Sequence, residues 1–196
     1  MTTRPARLNA RPLSLPNVLT GARIVAVPAL VACFLLVEGT AGRWWAFAFF
    51  AGACITDALD GYLARIWRQQ SELGRMLDPI ADKLLVGATL LILVHDHTID
   101  GWSLWAAVIV LCREILVSGL REFLAELNVK VHVTQLAKWK TAMQMLALAA
   151  LLVAPVLFPW SEQAMRLGLA FLWVAALLTL FTGYDYLKAA LKHAVK

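Results

Sequence analysis

The chain has 196 residues, 61% of them hydrophobic and only 16% charged, with a mean hydropathy of +0.70. Ordinary soluble domains are nearer half apolar and a quarter charged, which excludes that composition class, and the length fits one domain over 1–196. The net charge of +5 does not point to nucleic acid, because the basic residues gather between long apolar blocks, where they orient membrane helices and meet anionic phosphates.

Residues 1–14 read as a cytoplasmic N-terminal segment that starts basic, with Arg4 to Asn9 as a short interfacial stretch and Pro12, Pro16 and Asn17 as a turn leading into the first helix. The first apolar block, Leu19 to Val37, is interrupted only by Arg23 and ends at Glu38-Gly39. It is too long for a signal-peptide core and shows no clear cleavage site, so it reads as a retained membrane helix. The second block, Trp44 to Leu63, carries Asp57 and Asp60, and the third, Leu77 to Val94, carries Asp78 and Asp82. The fourth, Trp102 to Gly119, holds Arg113 and Glu114; the fifth is Thr141 to Phe158 and the sixth Leu167 to Tyr186. Each is near the ~20 residues that cross ~30 Å of hydrocarbon as a helix. The expected fold is all-α, a polytopic membrane protein with six transmembrane helices.

Alternate loops differ in charge. Arg4, Arg7 and Arg11 precede the first helix; Arg65, Arg68 and Arg75 follow the second; Arg121, Lys130, Lys138 and Lys140 follow the fourth; Lys188, Lys192 and Lys196 close the chain. The intervening loops 38–43, 95–100 and 159–166 are poor in positive charge. The positive-inside rule then puts both termini, and the aspartate-bearing ends of helices two and three, on the cytoplasmic side of a bacterial inner membrane. Trp44, Trp45, Trp102, Trp105 and Trp160 fall at the opposite ends, as interfacial anchors do. Cys33, Cys54 and Cys112 form no Cys-x-x-Cys pair and read as buried small hydrophobes. None of the four histidines has a ligand spacing with the aspartates.

The four aspartates decide the functional reading. Ionised groups at membrane depth cost several kcal/mol each unless compensated, and close carboxylates repel one another. At about 100° per residue, Asp57, Asp60, Gly61, Ala64 and Arg65 fall within one arc of roughly 140° on helix two. Asp78 and Asp82, four apart, share a face of helix three. If the two faces meet, the acids surround one space that suits a hard divalent ion, with small residues admitting a ligand and an arginine fork for phosphate. Taken singly, each piece has a plainer reading. Asp78 before Pro79 resembles an ordinary helix N-cap; Asp57 and Asp60 could be solvated at a helix end; Gly61 and Ala64 could serve helix packing; Arg65 could be only a positive-inside residue.

The string Asp57-x2-Asp60-Gly61-x2-Ala64-Arg65-x8-Gly74-x3-Asp78-x3-Asp82 resembles the signature of the CDP-alcohol phosphotransferase family at every specified position. The resemblance implies a six-helix membrane enzyme, usually a homodimer, with two divalent ions, Mg²⁺ or Mn²⁺, among Asp57, Asp60, Asp78 and Asp82. It also implies that Asp82 is the general base and that Asp60, Gly61, Ala64, Arg65, Ser71 and Gly74 face a CDP-diacylglycerol donor. The strings Leu15 to Arg23, Arg113 to Glu122 and Lys138 to Gln144 are similar to the bacterial members whose acceptor is sn-glycerol 3-phosphate, with CMP as the other product. A dianionic acceptor needs fixed positive charge. Arg113 and Arg121 lie about 80° apart on a helix, and Lys138 and Lys140 start helix five, so these four form the candidate acceptor site. A buried pair between Arg113 and Glu114, and positive-inside bias at the lysines, are the plainer alternatives. Sibling enzymes acting on phosphatidylglycerol or inositol phosphate, and a cation-coupled transporter, remain as rival functions.

Overall fold

A computed structural model describes residues 15–67, 72–127, 129 and 135–194. Six long helices occur in chain order: α1 (Leu15–Leu36), α2 (Thr40–Trp67), α3 (Glu72–His95), α4 (Ser103–Glu126), α5 (Gln135–Val153) and α6 (Ser161–Ala194), with a short 3-10 turn at Ala154–Val156 between the last two. No strand occurs among the described residues. The proposed N-terminal interfacial segment lies outside them.

Most helices outrun their apolar blocks, because backbone hydrogen bonding continues into polar ends that need no hydrocarbon around them. α2, for example, starts at Thr40 and continues to Trp67. α5 departs furthest from this at its C-terminal end, whereas α1 stops one residue short, at Leu36. α5 stops at Val153, short of the apolar run's end at Phe158, because Pro155 offers no N–H to continue the ladder. Pro16 and Asn17 belong to the first turn of α1 instead of a turn before it, a position where proline has no hydrogen bond to lose. Asp78 is likewise no N-cap: α3 begins at Glu72 and runs through Asp78 and Pro79.

α1 packs against both α2 and α3; α5 packs against α2, α3 and α6; α4 packs mainly against α6. Leu30, Phe50, Leu85, Leu93, Val110, Leu148, Leu151 and Leu172 fill the centre. The outer surface is apolar as well. Leu36, Ile55, Leu91, Ile115, Leu177 and Phe181 are all exposed, which water would oppose and lipid favours. Among the described residues, stretches 18–36, 103–125, 139–156 and 161–188 are long and apolar enough to cross a membrane, while α2 and α3 carry the acids. The chain is a multi-pass membrane protein. Trp44, Trp45, Trp102, Trp105 and Trp160 are all exposed around the three short loops at one end of the bundle. Of the cysteines, Cys33 and Cys54 are partly buried and Cys112 is exposed, so the expected burial does not hold: on a lipid-facing surface a thiol loses nothing by pointing outward.

That same end is tied together by Arg43. Its guanidinium pairs with Asp96, donates to Thr98 Oγ1 (3.0 Å) and to the Leu152 carbonyl (3.2 Å), and stands 5.1 Å over the Phe34 ring. The α1–α2 turn beside it is tight. A Cβ on Gly42 would sit 2.4 Å from the Val37 carbonyl oxygen, so only glycine fits. The loops at this end thus fix how α1 and α2 leave it, and with that what they present at the other end.

Candidate active site

Asp57, Asp78 and Asp82 are brought together by a helix that carries none of them. α1 presents Thr20 and Arg23, one turn apart and both buried, toward α2 and α3. Thr20 Oγ1 donates to Asp78 Oδ1 at 2.6 Å. Arg23 Nη1 contacts Asp57 Oδ1 at 2.8 Å and Asp82 Oδ1 at 3.0 Å. The arginine side chain is 0% exposed, while those of Asp57 and Asp82 are 47% and 43% exposed. The pairing makes physical sense: a buried guanidinium needs counter-charge, and clustered carboxylates need a cation. Among the described residues α1 packs on both α2 and α3, and its Arg23 side chain reaches an acid on each. Neither Thr20 nor Arg23 was a candidate from the acid spacing. The available signal was Arg23's standing as the sole charge within the first apolar block.

Asp78 and Asp82 line a cavity of about 520 Å³ whose other walls come from α4, α5 and α6. Arg113, Arg121 and Lys140 line it too, together with Lys83. Arg113 is committed on its far side. Its Nε donates to the Thr179 carbonyl (3.1 Å), its Nη2 to Thr182 Oγ1 (2.8 Å), and its Nη1 lies 3.5 Å from Glu114. Gly183 lets α6 come this close, since a Cβ there would lie 3.3 Å from the Arg113 side chain. Glu114 also pairs with the buried Lys140. The plainer reading of Arg113, a pair with Glu114, is therefore realised while Arg113 still faces the cavity. Arg121 is exposed. Gln144, one turn along α5 from Lys140, also lines the cavity; it is buried and its Oε1 has no hydrogen-bond partner among the described residues. Spacing to the acids gave no reason to single it out.

Gly74 is buried near the start of α3. Ser71 lies outside the described residues, as do the side chains of Asp60, Gly61, Ala64, Arg65 and Lys138, although all but Ser71 sit on described helices. Among the described residues, no three His, Cys, Asp or Glu side chains are arranged around one point as a metal centre. The donors present are carboxylate oxygens, which is the chemistry of Mg²⁺ and Mn²⁺ rather than of softer metals.

A second surface feature adjoins the acids. Ile24, Val27, Pro28, Val31, Leu35 and Leu84 line an apolar groove between α1 and α3, beginning beside Arg23 and two residues beyond Asp82. A charged cavity and an oily groove thus flank one carboxylate group, which suits a ligand with a polar head and hydrocarbon tails.

The family model described as CDP-alcohol phosphatidyltransferase matches residues 13–181. A CDP-diacylglycerol–glycerol-3-phosphate 3-phosphatidyltransferase of Rickettsia bellii is 44% identical, covering 92% of this chain and 97% of the relative. Relatives of the same description from Escherichia coli K12 and Cereibacter sphaeroides are 41% and 38% identical, covering 90% and 92% of this chain and 94% and 96% of their own lengths. The chain belongs to the CDP-alcohol phosphatidyltransferase family.

Proposed function

We propose that this protein transfers the phosphatidyl group from CDP-diacylglycerol to sn-glycerol 3-phosphate, giving phosphatidylglycerophosphate and CMP in phospholipid synthesis. The observation that carries the reading is the single cavity in which Asp78 and Asp82 face Arg113, Arg121 and Lys140. An acid-rich wall suits a cation-bridged pyrophosphate, and a basic wall suits an acceptor that bears its own phosphate. The relatives' shared description names this donor and this acceptor.

Asp57, Asp60, Asp78 and Asp82 would hold two divalent ions, Mg²⁺ or Mn²⁺, and the hard-oxygen donor set fits them. Bound there, the ions supply charge neutralisation to the pyrophosphate and to the departing CMP. The chain's own groups do the rest. Asp82 takes the proton from the C1 hydroxyl of the acceptor. The freed oxygen bonds to the β-phosphorus, the bond from that phosphorus to the bridging oxygen breaks, and CMP leaves with that oxygen. Asp60, Gly61, Ala64, Arg65, Ser71 and Gly74 face the nucleotide. Arg121, Arg113, Lys138 and Lys140 hold the acceptor phosphate, Arg121 with its fork least committed to neighbouring helices. The acyl chains lie along the groove of α1 and α3. Fixed orientation of the two reactants supplies much of the rate.

The basic loops support a cytoplasmic active site, with both termini on that side of the bacterial inner membrane. The exposed apolar faces leave room for a homodimer within the lipid. The test is an acceptor panel with purified protein, CDP-diacylglycerol and Mg²⁺ or Mn²⁺. Glycerol 3-phosphate should support CMP release, and phosphatidylglycerol and inositol phosphate should not. Turnover with another acceptor alone would assign the chain to a sibling activity. Ion flux without CMP release would assign it to transport.

A further inference from the structure

Arg23 bonds the same carboxylate oxygens that a divalent ion at these aspartates would need. One Nη1 reaches Oδ1 of Asp57 and Oδ1 of Asp82, from a side chain with no exposed surface. The guanidinium is held in place by burial within α1, and one turn earlier Thr20 fixes Asp78. No neutral group could do both things that Arg23 does. It holds acids of α2 and α3 at one spacing, and it places a permanent positive charge against the oxygens that attract cations.

We propose that Arg23 is a positioning residue that makes divalent-ion binding depend on the nucleotide-lipid. This rests on the ion-dependent reading of the aspartates given above. With Arg23 sharing the Oδ1 atoms, the carboxylates alone hold an ion loosely. The pyrophosphate oxygens of the donor then complete the ion's oxygen shell, as substrate phosphates commonly do for Mg²⁺. By linkage, whatever factor the donor adds to ion affinity, the ion adds to donor affinity, so the two load together. A site with four unopposed carboxylates would instead hold ions tightly with no substrate present. The arginine therefore exchanges affinity for coupling.

The test uses the full-length protein in lipid nanodiscs and titrates Mn²⁺, with free Mn²⁺ read by electron paramagnetic resonance, in the presence and absence of CDP-diacylglycerol. Arg23→Met and Arg23→Gln remove the charge; the glutamine keeps hydrogen-bond donors near both acids. Each should bind Mn²⁺ without donor at least about tenfold more tightly than the wild type, since a cation at contact distance has been removed. In each, the gain in affinity on adding CDP-diacylglycerol should shrink. Arg23→Lys should keep wild-type behaviour in large part. Arg43→Gln, at the opposite end of the bundle, should lower thermal stability and leave Mn²⁺ affinity unchanged. Unchanged or weaker Mn²⁺ binding in the folded Arg23→Gln or Arg23→Met protein would overturn the proposal and leave Arg23 a structural strut. This outcome is independent of the acceptor panel, which can fail while the Mn²⁺ result stands.

Discussion

Arg23 of α1 and Asp82 of α3 meet at 3.0 Å across 59 residues of sequence, and the arginine is wholly buried where the aspartate is not. One half of the pair is fixed by the bundle, and the other is free to face the cavity that it lines. This arrangement gives Asp82 a defined direction without sealing it from the cavity.

Thr20 does the same for Asp78 without adding charge. A hydrogen bond to a charged group contributes about 1.5–3 kcal/mol. Thr20→Val should therefore raise the Mn²⁺ concentration that half-saturates CMP release by about tenfold, because Asp78 loses its orientation while no repulsion is relieved. The expected sign is opposite to that for removal of the Arg23 charge. A Mn²⁺ titration of CMP release checks it, and an unchanged midpoint would show that the 2.6 Å bond does not organise the site.

Arg121 and Arg113 divide the basic wall unequally. Arg113 is bonded into α6, whereas Arg121 is exposed. Arg121→Gln should raise KM for glycerol 3-phosphate about tenfold and leave KM for CDP-diacylglycerol unchanged, the pattern of a lost acceptor contact. Steady-state kinetics with each substrate varied in turn measures this. Equal effects on both constants would place Arg121 outside the acceptor site.

Glu114 joins Lys140 of α5 to Arg113 of α4 in a largely buried group. Glu114→Gln strands the buried Lys140 charge, and breaking a buried pair from one side costs about 3–5 kcal/mol. The thermal midpoint in nanodiscs should fall clearly, and Lys140→Met added to Glu114→Gln should restore part of the loss. A single variant as stable as the wild type would mean that solvent reaches the pair freely.

Gly42 tests the packing that sets the site from the far end. Gly42→Ala places a Cβ against the Val37 carbonyl and should destabilise by about 1–3 kcal/mol, as overpacking does. Gly52, on the same helix with open space around it, should accept alanine with a gain of up to about 1 kcal/mol. Parallel thermal denaturation of the two variants distinguishes them; equal behaviour would refute the close approach of α1 and α2.

The six helices were legible because each apolar block is long and bounded by charge or turn residues, and a bilayer leaves such blocks only helical solutions. Their ends were less legible: hydropathy falls off before hydrogen bonding does, as at Thr40–Trp67, and only Pro155 signals an early stop. Spacing gave the helical face shared by Asp78 and Asp82, but local sequence misled at Asp78-Pro79, where a dipeptide typical of helix starts lies inside α3. What spacing could not give was the third helix between the acids. Periodicity ranks residues within one helix, whereas the Thr20 and Arg23 contacts depend on how α1 packs against two others. The same limit hid Gln144, which belongs to the cavity only because α5 packs against α3 and faces α4 across it.

The most direct measurement is CMP release from CDP-diacylglycerol by purified wild-type and Asp82→Asn protein, with glycerol 3-phosphate and Mn²⁺ or with chelator. The wild type should release CMP only with both acceptor and ion, and the variant should fall by roughly 10²–10⁴-fold, the scale of a lost general base. Asp82→Asn turnover near the wild-type rate, or CMP release unaffected by chelator, would contradict the account.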